Sequence, residues 1–236
     1  NVIGAMNIIE AAIDCDVGKI VALSTDKAAM PINLYGASKL CSDKLFVAGN
    51  MAAGSARTRF AVVRYGNVFG SRGSIVPVIH HLRQQPEKMI GLTDVRMTRF
   101  NITLMQAVNF VLSGLVTMNG GEIFIPKLPS YKLPQVAEAV APECATKVIG
   151  RRPGEKVHEL MIPEDEAYRT KEIEDRYIIE PEWESFGGSY TSLPDTKPVA
   201  ENFYYNSGEN DDWCTVEEMK GQYRDWCAKY GYEYVE

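Results

Sequence analysis

Residues 19–46 read KIVALSTDKAAMPINLYGASKLCSDKLF, and this stretch decides the fold. It begins with a short apolar run rich in β-branched residues, which is typical of a buried parallel strand. A loop with a proline follows, and then a helical pattern over about 34–53. A helical stripe at 1–14 precedes the first strand, and TRFAVVRYG at 58–66 predicts the next one. This alternation predicts a doubly wound α/β sheet.

The pattern changes to shorter elements after a glycine-punctuated loop at 67–74. We predict helices at 75–85, at about 103–118 and at 133–140, the second of which begins at a capping box of Thr103 and Gln106. We predict strands at 122–126, 147–150 and 176–181. These pieces predict a smaller mixed α/β domain. Beyond residue 182 lie all three tryptophans and seven of the twelve tyrosines. We expect this aromatic-rich extension, helical only at 215–229, to wrap over its own or a neighbour's surface.

Composition excludes several classes of function. Lys and Arg number 25 against 31 Asp and Glu, a net charge of −6, and no basic block occurs. We therefore expect no nucleic acid and no anionic membrane as the main partner, whereas a few placed arginines can still hold a diphosphate. The five scattered cysteines form no C-x-x-C, and the three histidines form no ligand pattern, so we expect reduced thiols, a cytoplasmic location and no metal. No apolar run is long enough to span a bilayer.

Tyr35 and Lys39 lie four residues apart near the start of a predicted helix and so share one face. An ammonium beside a tyrosine hydroxyl favours the phenolate, which can act as a base. Y-x-x-x-K alone also occurs by chance as a surface pair. Here, however, Ser24 and Thr25 end the preceding strand, and the loop after Arg64 ends the next one. Both strand ends fall in the ligand crevice of an open α/β sheet, which favours a catalytic pair.

Several longer stretches carry a resemblance to a known family. They are ALSTDKAAMPINLYGASKLCSDKLF (22–46), VVRYGNVFGSRGSIVP (62–77), MTRF (97–100), GGEIFIPKLPSY (120–131) and RRPGEKVHELM (151–161). Together they resemble the extended short-chain dehydrogenases/reductases that act on nucleotide sugars. More narrowly, the chain over about 1–181 is similar to the inverting UDP-N-acetylglucosamine 4,6-dehydratases. The resemblance implies UDP-GlcNAc as substrate and a UDP-4-keto-6-deoxy-L-hexose derivative as product, for polysaccharide or glycan biosynthesis.

The resemblance also implies the catalytic roles. Tyr35, assisted by Lys39 and Thr25, would remove the proton of the 4-hydroxyl while C4 gives hydride to NADP. Asp26 would be the acid for the 6-hydroxyl and Lys27 the base for the C5 proton, provided that burial favours their neutral forms. Without the family, Asp26 and Lys27 would be interpreted as a solvated pair in a turn.

Binding residues follow from the same resemblance. The cofactor, NADP with NAD as the alternative, is expected at Leu23, Ser24, Tyr35, Lys39, Arg64, Tyr65 and Asn67. The UDP-sugar is expected at Asn67, Arg72, Arg99, Arg152 and Glu155, although Arg72 alone fits a surface salt bridge equally well. The chain departs from the family pattern at Met30, where Asn is expected, and at Asn101, where Trp is frequent.

The resemblance further predicts the domain organisation. Residues 1–74 would be the remaining half of an NADP-binding Rossmann domain with the catalytic segment, 75–181 mainly the substrate domain, and 182–236 the extension. No G-x-G-x-x-G occurs in the chain, and relatives place it before the segment that begins here at Asn1. We therefore expect roughly the first ~100 residues of a homo-oligomeric enzyme to be missing. Two other hypotheses stay open: a different NAD(P)-dependent sugar-nucleotide enzyme, such as an epimerase or reductase, and a non-catalytic binding module.

Overall fold

The computed structural model describes residues 1–182 and 190–234. Its α-helices are α1 (Val2–Asp14), α2 (Leu34–Ala53), α3 (Ile75–Leu82), α4 (Leu104–Thr117), α5 (Leu133–Val140) and α6 (Val216–Tyr230). Short 3-10 helices lie at Asp26–Ala28 and Glu164–Arg169. Each of these α-helices lies where the sequence predicts one. Trp183, the first tryptophan of the extension, lies outside the described residues.

The strands are β1 (Lys19–Leu23), β2 (Arg59–Val63), β3 (Asn67–Val68), β4 (Met89–Leu92), β5 (Thr98–Ile102), β6 (Ile123–Pro126), β7 (Ser130–Lys132), β8 (Ala145–Val148), β9 (Leu160–Ile162), β10 (Thr170–Glu172), β11 (Arg176–Ile179), β12 (Lys197–Pro198) and β13 (Tyr205–Asn206). The predictions for β1, β2, β6 and β11 are confirmed. The strand predicted at 147–150 begins two residues earlier, at Ala145. β4 and β5 were not predicted, because Gly91 interrupts the first and polar Arg99 and Asn101 interrupt the apolar pattern of the second.

The first of two compact units comprises Asn1–Tyr65, Ala107–Lys127 and Leu160–Tyr205. Its sheet has the strand order β1-β2-β6-β11-β10-β12. The first three strands are parallel to one another, and the other three join them in antiparallel pairs. The predicted Rossmann-type parallel sheet within an α/β fold is therefore confirmed.

Helices cover both faces of this sheet. Phe60 of β2 contacts Phe46 of α2, with ring centroids 6.1 Å apart. Its neighbours Ala61 and Val63 pack instead with Phe110 of α4. Successive side chains of a strand point to opposite faces, so α2 and α4 lie on opposite sides of β2. This is the doubly wound arrangement, in which ligands bind beyond the carboxyl ends of the strands.

The second unit comprises Gly66–Gln106, Leu128–Glu159 and Asn206–Glu236. It contains the three-stranded sheet β3-β5-β7 and the parallel pair β4-β8. Its core joins α3, α5 and α6, and Met219, Tyr223 and Cys227 of α6 are completely buried in it. The helical part of the extension thus packs on its own chain.

Both units are discontinuous in sequence, whereas the predicted functional regions are continuous. The assignment of 1–74 to the cofactor, 75–181 to the substrate and 182–236 to an extension concerns binding and stays a prediction. All five cysteines are free thiols. Among the described helices, none has the length and apolar character needed to cross a bilayer.

Candidate active site

The Ser24–Lys27 turn is fastened to the segment that follows β2. The backbone N–H of Ser24 donates to Val63 O at 2.7 Å, and that of Asp26 donates to Tyr65 O at 3.1 Å. Thr25, in an extended conformation, begins the 3-10 helix, and its hydroxyl accepts a hydrogen bond from the N–H of Lys27. The turn therefore lies at the carboxyl end of the parallel sheet, where the sequence places the crevice.

Asp26 and Lys27 form a close pair within this turn. Asp26 is completely buried, whereas the Lys27 side chain is 32% exposed. The Oδ1 atom of Asp26 accepts hydrogen bonds from Lys27 Nζ and from the Thr25 hydroxyl, both at 2.9 Å. Its Oδ2 atom is buried with no hydrogen-bond partner among the described residues. A buried carboxyl group that has one oxygen without a hydrogen bond, next to a partly exposed amine, can act as an acid–base pair.

The amino end of α2 lies against the same turn. Asn33 caps the helix by accepting from the N–H of Gly36 at 2.8 Å. A Cβ at Gly36 would collide with Lys27 O, so this close approach requires glycine. Lys39 Nζ donates to Leu23 O at 2.6 Å, and Tyr35 is 52% exposed. Burial raises the pKa of Tyr65, and nearby Tyr35 adds to this effect. The structure thus brings Tyr35, Lys39 and the turn together.

Arg64 lies in a buried cluster of charged side chains. Its side chain is 1% exposed, and its NH1 group donates to Met161 O at 2.7 Å and to Glu166 at 3.1 Å. Its NH2 group lies 3.6 Å from Asp43. Asp43 in turn accepts from the hydroxyl of Ser24 at 2.7 Å. The side chains of Ser24 and Arg64 are therefore held by protein groups beneath the turn, and their assigned cofactor contacts stay predictions.

Burial and charge shift the carboxyl groups of this cluster in opposite directions. Burial raises the pKa of Asp43 above its ordinary value, although Arg64 and the Ser24 hydrogen bond oppose the shift. Burial would also raise the pKa of Glu166, but the charges of Arg64 and Arg169 outweigh it and hold that pKa below its ordinary value. The cluster depends on Arg64 for its balance of charge.

The expected UDP-binding residues lie in the second unit. Asn67 begins β3 and is the register partner of Asn101 in β5. Arg72 lies exposed in the loop beyond β3. Arg152 is also exposed, and its NH1 group lies 4.0 Å from Glu155.

Arg99 differs from the other two arginines because protein groups already hold it. Its NH1 group donates to Thr98 O at 2.7 Å and Val157 O at 3.1 Å, and its Nε atom lies 3.5 Å from Glu159. Arg72 and Arg152 are therefore the more available guanidinium groups.

Sequence reasoning missed Asp43, Glu166 and the side chains of α6 that contact the loop beyond β3. Asp43 could have been found, because Tyr35, Lys39 and Asp43 continue one i, i+4 row along α2. Glu166 gave no signal, since it follows Arg64 by 102 residues and sits in an ordinary acidic run.

The residues present fit the nicotinamide end of a dinucleotide cofactor. The Tyr35 ring is half-exposed, Lys39 follows it on the same helical row, and both lie at the carboxyl end of β1. A glycine-rich phosphate loop is absent from the 236 residues, so the fit extends to that end only.

A parallel sheet with Ser-Thr at one strand end and Tyr-x-x-x-Lys on the next helix defines the short-chain dehydrogenase/reductase class. The chain belongs to the polysaccharide biosynthesis protein family, whose model matches residues 1–181.

Three known proteins are similar to the chain in sequence or in fold. It is 49% identical over 224 residues to a UDP-N-acetylglucosamine 4,6-dehydratase (inverting) from Campylobacter jejuni, covering 93% of this chain and 67% of that protein. The crystal structure of Pen from Bacillus thuringiensis is similar with a TM-score of 0.84 and 32% identity, over 94% of this chain and 67% of that one. DesIV, a dTDP-glucose 4,6-dehydratase from Streptomyces venezuelae with NAD bound, shares the fold at a TM-score of 0.60 and 18% identity, over 66% and 55%.

Proposed function

We propose that this chain is the catalytic part of an enzyme that dehydrates UDP-GlcNAc at C4–C6 and inverts C5. The observation that carries the proposal is the Asp26–Lys27 pair, which lies beside Tyr35 and Lys39 at the carboxyl end of β1. The Campylobacter relative, a UDP-N-acetylglucosamine 4,6-dehydratase (inverting), supports it.

The chain's own residues would move three protons. Tyr35 takes the proton of the sugar 4-hydroxyl through its phenolic oxygen, with Lys39 supplying the adjacent positive charge. The resulting 4-ketone acidifies C5–H, and Lys27 Nζ removes that proton. Asp26, whose buried carboxyl is hydrogen-bonded to Thr25, gives a proton to the departing 6-hydroxyl. The nicotinamide cofactor would supply hydride transfer, from C4 and back to C6, and a solvent-derived proton would then be added to C5 on the face opposite Lys27, which inverts C5.

Arg72 and Arg152 are the proposed diphosphate ligands, since both guanidinium groups are exposed and planar forks suit phosphate oxygens. Arg99 would then bind the substrate through guanidinium N–H groups that do not already donate to Thr98 O or Val157 O. Asn67 and Glu155 complete the proposed set as polar partners for the diphosphate and the sugar or ribose hydroxyls. The acidic net charge is compatible with this small anionic substrate.

We further propose NADP as the cofactor, a cytoplasmic location and a homo-oligomeric state for the complete enzyme. The NAD in DesIV supports a nicotinamide dinucleotide in general. Measuring turnover with each dinucleotide in turn would distinguish NADP from NAD.

The proposal is tested by substitution of single proton-transfer groups. The assay uses the full protein with NADP or NAD added. Lys27→Ala should block elimination, and Tyr35→Phe should block the hydride step, each lowering turnover about 10²–10⁴-fold. UDP affinity should stay unchanged in both. Lys147→Ala, which removes an exposed lysine of β8, is the matched control.

Two results would contradict the proposal. Near-wild-type turnover of Lys27→Ala would show that Lys27 is an ordinary solvated residue of the turn and not the base. A UDP-sugar product that is epimerised at C4 and keeps its 6-hydroxyl would identify an epimerase instead.

A further inference from the structure

The C-terminal helix α6 makes a direct, buried contact with the loop that carries Arg72. The indole Nε1–H of Trp226 donates to Gly70 O at 2.8 Å. Gly70 has a φ of +66°, and a Cβ there would collide with Cδ1 of the Trp226 ring. Only glycine fits both the left-handed backbone and the ring. Gly70 lies two residues before Arg72, so the indole fixes the backbone that presents this guanidinium.

The Trp226 ring is itself held rigidly. It stacks on Tyr223 and Tyr232 at interplanar angles of 19° and 18°, and His80 of α3 meets it edge-on. A rotation of the indole would disturb these three ring contacts together.

A second contact joins α6 to β5, the strand of Arg99. Asn101 is 2% exposed, and its Nδ2 donates to Gln222 of α6 at 2.9 Å and to Cys214 Sγ at 3.3 Å. β5 in turn pairs with β3, in the register Asn67↔Asn101. The residue that departs from the family pattern at position 101 thus has polar partners supplied by the C-terminal extension.

We propose that α6 is a positioning element of the UDP site, with Trp226 and Gln222 as its positioning residues. Through Gly70 and Asn101 they set the placement of the loop of Arg72 and of the strands of Asn67 and Arg99. The inference rests on the proposed function only in taking these three residues as UDP ligands. It adds that affinity for UDP depends on a helix outside the 1–181 region of the family.

The coupling must act in both directions. If docking of α6 strengthens UDP binding, then UDP must strengthen docking of α6 by the same factor. Amide hydrogen exchange in α6 should therefore slow when UDP is added.

The experiment is a calorimetric titration of the 236-residue chain with UDP. Trp226→Phe keeps an aromatic ring and removes the N–H donor, and it should weaken UDP binding about fivefold or more. Gln222→Met removes the partner of Asn101 at similar size and should weaken it in the same direction. Trp213→Phe is the matched control, since Trp213 contacts Ser130 and Lys132 instead of the loop. It should bind within twofold of wild type.

Two outcomes would overturn the inference. The first is a folded Trp226→Phe or Gln222→Met protein with wild-type UDP affinity and an unchanged exchange pattern in α6. The second is no UDP binding to the wild-type chain, because the second unit would then lack the site. Loss of UDP affinity on substitution, combined with no dehydratase activity of the full wild-type protein when NADP or NAD is supplied, would instead contradict the proposed function and leave this inference standing.

Discussion

Arg64 is the residue on which the buried charges beneath the active-site turn depend. It neutralises Asp43 and Glu166, which lie 3.6 and 3.1 Å from its guanidinium nitrogens. Replacing it with methionine would fill much of the volume but leave the buried Asp43 without its cation and Glu166 with only Arg169 and the exposed Lys44. Removing one partner of a buried ion pair typically costs about 3–5 kcal/mol. We therefore expect Arg64→Met to lower the free energy of unfolding by about that amount, as measured by urea denaturation.

Lys44→Ala is the control for this prediction. Lys44 also pairs with Glu166, at 3.3 Å, but its side chain is 54% exposed. Solvent screens such a pair, so the loss should stay below about 1 kcal/mol. Equal losses of unfolding free energy in the two variants would mean that Arg64 is not the main cation of this buried cluster.

Met30 is strained where the family pattern has Asn. Ala29 has φ −79° and ψ 121°, and Met30 follows at φ +43°, as in the two central residues of a type II turn. A left-handed conformation costs an ordinary residue roughly 1–2 kcal/mol, and Asn tolerates it better. Met30→Asn should therefore raise the free energy of unfolding by about 1 kcal/mol. Met30→Ala, which keeps the backbone penalty, should give no such gain in the same urea titration.

At the scale of single residues, the sequence was informative where chemistry and spacing coincide. Tyr35 and Lys39 lie four apart, and the structure places both beside the Ser24–Lys27 turn. It was uninformative for Glu166, whose importance comes only from a partner 102 residues away. It also could not show that Arg64 is buried, because an arginine at a strand end gives the same sequence pattern whether its side chain faces solvent or buried carboxylates.

At the scale of elements, the contact between α3 and α6 should respond to pH. His80 of α3 is buried, and its Nδ1 lies 2.6 Å from the hydroxyl of Tyr223 in α6. Burial, together with the charges of Arg83 and His81, lowers the pKa of His80 below 6.5. Below about pH 6.5 the unfolded chain takes up a proton that the folded chain resists. The free energy of unfolding should therefore decrease as the pH falls from 6.5.

Two variants test this pH dependence in urea titrations between pH 5 and 7.5. His80→Gln retains a hydrogen-bonding side chain without the titration, so it should lose the decrease below pH 6.5. His81→Gln alters an exposed neighbour and should keep most of it. A decrease that persists unchanged in His80→Gln would assign the effect to other groups.

Elements with one periodic pattern were predicted well, and those held by remote partners were not. The apolar spacing of α2 and α5 is regular, and both helices have the predicted bounds. The helix predicted at 215–229 is also present, and it begins at a capping box in which Thr215 and Glu218 make both hydrogen bonds. β5 was missed because Asn101 and Arg99 obtain their partners from other segments of the second unit. Local strand propensity cannot predict partners that are remote in sequence.

At the scale of the whole molecule, the chain returns repeatedly to each of its two units. Ala107–Lys127 and Leu160–Tyr205 complete the sheet that Asn1–Tyr65 begins. A division of the sequence at changes of composition gives only continuous regions. It therefore cannot predict that separate segments of the chain form each unit. The family resemblance and the fold were nevertheless accessible, because several long stretches occur in the family's order and α/β alternation is a strong signal.

The central claim is that the Asp26–Lys27 pair eliminates water and that C5 is then reprotonated on its opposite face. The measurement that tests it most directly is NMR of the early product that the full protein forms from UDP-GlcNAc in deuterated water with NADP or NAD added. We predict a 4-keto-6-deoxy sugar that carries deuterium at C5 in the inverted configuration. A 4-keto-6-deoxy product that keeps the original C5 configuration throughout would contradict the claim.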